Sequence, residues 1–287
     1  MSADEVHFRT LPKPDSLTRP EIQFATNLVC YKESKVLANA MGRDSKALRN
    51  CLKALAEPQR MSIHFFAVDM HDPFISVVYK MCPNASIAID RYHLAERINK
   101  CFDEVRREEF RQARERKDIF QGGMLAPHRR FILVEKEKTL SSGDLKMLEQ
   151  LKTLNANILN AMILVEHFHA LLDKKEVTEF RKSLTLWYRL VRESKLEPFR
   201  AFTSTLRKYR RNIETYIKSR LTTAVSEGLN NKIKVLKRMA YGYSNQESFL
   251  NKILQRCEYL NSKHINTNNW FWVFPSDPEI LAQNTPH

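Results

Sequence analysis

Two aspartates stand where short apolar runs end: Asp69 after the run Ser62 to Val68, and Asp90 after Ser86 to Ile89. A third, Asp4, lies in the opening segment Asp4-Glu5-Val6-His7-Phe8. Far downstream, Glu227 sits in Ser226-Glu227-Gly228-Leu229-Asn230-Asn231-Lys232. Carboxylates at strand ends are how an open sheet presents ligands at one edge. Oxygen donors of this kind suit Mg²⁺ or Mn²⁺ rather than zinc. Each acid alone reads as a helix cap or a solvated carboxylate; the set is what points to a metal. For Glu227 the alternatives stand level, because an acid in a first helical turn also complements the helix dipole.

Basic charge is concentrated around that glutamate. Between Arg207 and Arg238 there are ten Lys/Arg against two Glu. Arg207, Lys208, Arg210 and Arg211 form one cluster; Lys232, Lys234, Lys237 and Arg238 form another. At helical spacing, Leu229, Ile233, Leu236 and Ala240 make an apolar stripe, while Glu227, Asn231, Lys234 and Arg238 fall on the other side. Acidic ligands flanked by cationic rails are what metal-assisted phosphodiester chemistry needs.

The whole composition agrees. The chain has 287 residues, 43% of them hydrophobic, enough for a sizeable core, and a formal charge of +14 with pI near 9.6. A surplus of that size calls for a polyanionic partner. With neither basic cluster showing a Trp or Phe face, nucleic acid is favoured over a membrane surface. Only 6 glycines are present, which disfavours phosphate-binding glycine loops and favours helix. No run approaches the ~18 apolar residues of a membrane span, and the N-terminus lacks the features of a secretory leader. The 5 cysteines are scattered and never spaced C-x-x-C, which suits a reducing cytoplasm.

Mixed α/β elements must position these groups over residues 1–90. Ile22, Phe24, Thr26, Leu28 and Cys30 alternate as a strand, and Lys32-Glu33-Ser34 predicts a hairpin into a second strand over 35–40. Asp44 caps a helix with the stripe Ala47, Leu48, Cys51, Leu52 and Leu55. Asp72-Pro73 reads as a cap followed by the first helical residue. After residue 92 the texture is helical: a charged helix over 94–117 expected to be a solvated face, then helices over 142–153, 155–173, 176–194, 197–217, 226–239 and 246–262. The tail carrying Trp270, Phe271, Trp272 and Phe274 is expected to dock on the body.

The segments Val68-Asp69-Met70, Ile89-Asp90-Arg91-Tyr92-His93, Glu227-Gly228-Leu229-Asn230-Asn231-Lys232-Ile233-Lys234 and Lys237-Arg238-Met239-Ala240-Tyr241-Gly242-Tyr243 resemble the bacterial insertion-sequence transposases of the ISL-three family. The resemblance runs from about Ala3 to Leu260. It implies an α/β ribonuclease-H-like core with a large all-helical insertion: residues 1–93 and 221–262 as a discontinuous DDE catalytic core, 94–220 as the insertion, and 263–287 as an aromatic C-terminal tail. Carried over residue by residue, the family's catalytic, metal-binding acids fall on Asp4, Asp69 and Glu227. Asp90 and His93 match a supporting D-x-x-H signature.

The function so implied is DNA transposition, with two Mg²⁺ or Mn²⁺ ions about 3.5–4 Å apart. Arg207, Lys208, Arg210, Arg211, Asn231, Lys232, Lys234, Lys237 and Arg238 would contact the DNA of transposon ends and target. A bacterial, cytoplasmic, nucleoid-associated protein is expected, as a possible homo-oligomer on DNA and without a membrane partner. The cysteine-rich zinc motif and helix-turn-helix segment that family members carry N-terminally have no counterpart, so an N-terminal truncation is expected. It would leave the strand holding Asp4 nearly missing on its N-terminal side. The alternatives are a catalytically inactive remnant that only binds DNA, and a basic helical interaction protein.

Overall fold

A computed structural model describes residues 1–11, 21–127 and 141–257. The aromatic tail over 263–287 lies outside the described residues. The chain divides into two compact units, Met1–Asp90 with Leu221–His287, and Arg91–Arg220.

The first unit is built on a mixed five-stranded sheet. Its strands are β1 (Ser2–Leu11), β2 (Glu21–Cys30), β3 (Lys35–Met41), β4 (Phe65–Val68) and β5 (Ser86–Ile89), in the spatial order β3-β2-β1-β4-β5. β1, β2 and β3 form an antiparallel meander, while β4 runs parallel to β1 and β5 parallel to β4. The strand expected to be nearly missing before Asp4 is formed from Ser2, with Ser2 and Ala3 ahead of Asp4 in the sheet. The chain's first residue is tied to the sheet, the Met1 ammonium donating to the Phe65 carbonyl and the Ala67 N–H to the Met1 carbonyl. The strand expected from Ser62 starts later, at Phe65.

Alternation along β1 sorts its residues onto two faces. Val6 and Phe8, with Ala25, Val29 and Val36 of the neighbouring strands, pack under two helices of the C-terminal segment, α11 (Ala224–Met239) and α12 (Gln246–Cys257). Leu229 and Ile233 of α11 and Phe249, Ile253 and Cys257 of α12 close this core, the Phe8 and Phe249 rings lying 4.9 Å apart. Each such side chain contributes roughly 1.5–3 kcal/mol by leaving water, so α11 is fixed over β1 by its apolar stripe. The sheet also carries α1 (Ser45–Lys53), which packs on β2 and β3. Asp44 caps α1 by accepting from the Ala47 N–H at 2.9 Å, and Ala47, Leu48, Cys51 and Leu52 are buried. After α2 (Glu57–Met61), α3 (Asp72–Met81) links β4 to β5. Its cap is His71 and not Asp72, because Pro73 follows at the second helical position and Asp72 lies within the first turn.

The second unit is helical throughout its described residues: α4 (Arg91–Glu115), α5 (Ile119–Met124), α6 (Ser142–Leu154), α7 (Ala156–Leu172), α8 (Val177–Ser194), α9 (Glu197–Lys208) and α10 (Arg210–Ser219). Here α4 is no solvated face. It buries Leu94, Ile98, Cys101, Phe102, Val105 and Ala113, along with three charged residues. Those charges are tolerable because they are paired: Arg106 is bonded to Asp103 at 2.8 Å, and Glu109 accepts from Asn155 and Asn157. The single helix expected over 197–217 is two. The backbone leaves helical geometry at Tyr209 (φ −98°, ψ 12°), and both Leu206 before it and Ile213 after it are buried. No helix among the described residues is long and apolar enough to cross a membrane.

Candidate metal centre

The centre begins with a register. Ser2 of β1 pairs with Ala67 of β4 in parallel, and Asp4 and Asp69 each lie two residues further on. Parallel neighbours therefore deliver both carboxylates to one place on the sheet. Asp4, Glu5 and Asp69 offer carboxylate oxygens that all lie within 4.8 Å of one another. Glu5 donates its backbone N–H to Asp4 Oδ1 at 2.7 Å, and its Oε1 lies 4.0 Å from His71 Nδ1.

Electrostatics supports a cation at this spot. Burial, reinforced by the charges of Asp4 and Asp69, pushes the Glu5 carboxyl up to about 7, with Arg43 opposing. Three acids so close, with one carboxyl held back from ionising, form a donor set of hard oxygens suited to Mg²⁺ or Mn²⁺. The residues present thus fit a divalent ion. His71 is shifted the other way: burial first, then Arg43, lowers its pKa.

The face bearing Asp4 is governed by α11. Ser2 and Ser226 hydroxyls lie 2.5 Å apart. Asn230 donates its amide to Asp4 Oδ2 at 2.8 Å and to the Glu5 carbonyl at 3.2 Å. The Asn230 side-chain oxygen accepts in turn from Asn27 at 3.1 Å, and Asn27 is the cross-strand partner of Asp4. Asp90 is buried just beyond β5 and accepts from the hydroxyl of Thr223, the residue preceding α11. Both ends of this polar set are therefore anchored by the first turns of α11.

Glu227 stands among those anchors without joining the acidic group. It is exposed in the first turn of α11, one residue past Ser226 and one turn before Asn230. Positions three apart on a helix are surface neighbours. His93 lies in the other unit, near the start of α4, with its Nδ1 3.8 Å from Glu96.

The basic residues also divide between the units. Arg207, Lys208, Arg210 and Arg211 are exposed in the Arg91–Arg220 unit, where Arg207 lies over the Tyr188 ring and Arg210 pairs with Glu214. Asn231, Lys232, Lys234 and Arg238 are exposed on α11. Lys237 is not: its ammonium donates to the carbonyls of His7 at 3.2 Å and Phe8 at 3.0 Å.

Sequence reasoning missed Glu5, Asn230, Thr223 and Ser226. Strand alternation hides Glu5, since it sets neighbours on opposite faces and gives no sign that its carboxylate lies within reach of those of Asp4 and Asp69. Asn230 had a signal: a polar residue beside Leu229 on the buried side of an amphipathic helix must find partners.

A family model for transposases of the DDE insertion-sequence type ISL3 matches residues 16–253. The chain belongs to this transposase family. The matched span includes Asp69, Asp90, His93, Glu227 and Asn230, while Asp4 precedes it and owes its place to the register with β4. Over 232 residues the chain is 26% identical to the transposase for insertion sequence element IS1001 of Bordetella parapertussis, a span of 80% of this chain and 56% of that protein. It therefore covers little more than half the length of this transposase relative. No solved structure matches it.

Proposed function

We propose that this chain carries the phosphoryl-transfer centre of a DNA transposase, on a ribonuclease-H-like core interrupted by the helical unit. The reading rests above all on the convergence of Asp4 and Asp69 from parallel strands beneath a helix that bears Glu227. The strand order β3-β2-β1-β4-β5, with β2 alone running against the other four strands, agrees with such a core. The reaction class is phosphodiester hydrolysis and transesterification: a hydroxyl oxygen bonds to phosphorus as the bond to the leaving strand oxygen breaks.

Asp4, Asp69 and Glu227 would hold two Mg²⁺ or Mn²⁺ ions, with Glu5 bordering them. When bound, such a pair activates the attacking oxygen and stabilises charge on the leaving one. The protein's own groups do the positioning. Asn230 fixes the Asp4 carboxylate, and the Asp90–Thr223 bond fixes the start of α11 and with it Glu227. Exposed Lys232, Lys234 and Arg238 on the same helix supply phosphate contacts, and Arg207, Lys208, Arg210 and Arg211 supply a second set.

The test is strand nicking of plasmid DNA carrying the element's ends, in Mn²⁺. Wild type nicks, and Asp69→Asn and Glu227→Gln reduce the rate by orders of magnitude while DNA binding holds. Nicking that is equal in these variants, or unaffected by EDTA, overturns the reading.

A further inference from the structure

Helix α11 closes on a residue type that its backbone geometry does not favour. The Tyr241 N–H donates to the Arg238 carbonyl and the Gly242 N–H to the Lys237 carbonyl, both at 3.0 Å. This pair of bonds closes the helix with a left-handed residue, Tyr241 at φ +50°, followed by Gly242 at φ +100°. Glycine is the residue that suits such a position, and a bulky side chain there is an outlier.

Other helices of this glycine-poor chain also end on left-handed residues that are not glycine: Lys117 after α4, Lys195 after α8 and Arg220 after α10. Those three are cations, which complement the negative end of a helix. Arg220 additionally donates to the carbonyls of Leu172 and Asp173. Tyr241 brings neither charge nor burial: its relative exposure is 101%. Its neighbour Tyr243 behaves oppositely, packing on Phe249 at 5.3 Å against the core. One tyrosine of the Tyr-Gly-Tyr turn serves the fold and the other faces solvent.

The surroundings of Tyr241 select a ligand. Lys234 and Arg238 are exposed on the same side of α11, and Val235 and Met239 beside them are 44% and 73% exposed. Cations interleaved with apolar and aromatic groups suit a nucleic acid strand, whose phosphates meet the charges and whose bases meet the ring. Phosphates alone would leave the aromatic and apolar groups without use.

We infer that the Tyr241 ring stacks on an unpaired nucleobase of a DNA strand whose phosphates are held by Lys234 and Arg238. This rests on the DNA reading above and adds a stacking residue to it. An exposed ring past the far end of the Glu227 helix would mark where a strand is held open about 21 Å along the helix axis from the centre.

The test uses the full chain in EDTA, so that it does not depend on cleavage. Binding of a 2-aminopurine-labelled single strand and of the matching duplex is followed over a salt series. Tyr241→Gly suits the left-handed position, so this variant melts no lower than wild type. Its single-strand affinity falls about 5- to 150-fold, the range for losing one aromatic–base stack, and 2-aminopurine quenching is lost. The salt slope and duplex affinity stay unchanged, and Tyr241→Trp restores both quenching and affinity. Unchanged single-strand affinity and quenching in Tyr241→Gly overturn the inference and leave the metal-centre reading intact. Equal weakening on single strand and duplex also overturns it, since the contact is then not to an unpaired base. Failure of the wild-type chain to bind either DNA removes the DNA reading itself, and the stack with it.

Discussion

The side-chain amide of Asn230 donates to the Asp4 carboxylate at 2.8 Å, joining residues 226 positions apart in the chain. One hydrogen bond thus ties the first strand to the helix that follows the second unit in sequence. It orients an acid and locates α11 at the same time.

Replacing Asn230 should separate these two effects. Asn230→Ala leaves the buried Asn27 amide without its partner and should cost about 1–3 kcal/mol, read as a lower midpoint in denaturant. Asn230→Asp instead adds a carboxylate beside Asp4. Its melting temperature should fall in EDTA and recover in Mg²⁺ by more than wild type gains. A wild-type melting temperature for Asn230→Asp in EDTA would contradict the role given to this contact.

Stability in EDTA should depend on pH through Glu5. Its folded-state pKa, about 7, lies above the ordinary value of 4.5 because burial and the neighbouring acids disfavour the charged form. The folded state therefore binds the proton more tightly than the unfolded chain. The associated stability is present in full below the unfolded value and lost as pH rises through about 7. Melting temperature should rise as pH is lowered from neutrality toward 6, and Glu5→Gln should flatten that rise. Divalent metal competes with the same proton, so metal stabilisation should grow with pH. Identical pH profiles for wild type and Glu5→Gln would rule out this source.

Asp90 and Thr223 should behave as one unit. Thr223→Val removes the donor and Asp90→Ala the acceptor of the bond that anchors the start of α11. In a double-mutant cycle the coupling should fall within about 0.5–3 kcal/mol, as for buried residues in contact. Purely additive effects would show that the start of α11 is held by something else.

Lys237 should part company with the other cations of its helix. Lys234→Ala and Arg238→Ala should each reduce the salt slope of DNA binding by about 1. Lys237→Met should lower the melting temperature, because its ammonium closes carbonyls of β1, and should leave the slope alone. A reduced slope for Lys237→Met would return it to the DNA surface.

Much of the first unit was legible because its signals are local. The alternation from Ile22 to Cys30 and the Asp44 cap both describe β2 and α1 as they are found. Asp69 could be placed at a strand end from the apolar run alone. What could not be read depends on neighbours distant in sequence. The mixed charges of α4 look solvated until Asp103 and Arg106 are seen paired inside a helical layer. The basic stretch from Arg207 to Arg238 looks continuous along the chain, yet it passes from one compact unit to the other at Arg220. Lys237 looks like its exposed neighbours because helical spacing cannot reveal two strand carbonyls beneath it.

Glu227 is where the centre is most directly open to measurement. Mn²⁺ affinity, followed by electron paramagnetic resonance of the free ion at neutral pH, reports ligands without requiring cleavage. Wild type should bind Mn²⁺, and Asp69→Asn should lose that binding. Glu227→Gln keeps the side chain's size but removes the charge a hard cation needs, and it should weaken Mn²⁺ binding at least about tenfold. Wild-type Mn²⁺ affinity in Glu227→Gln, with Asp69→Asn still defective, would contradict the assignment of Glu227 to the metal set.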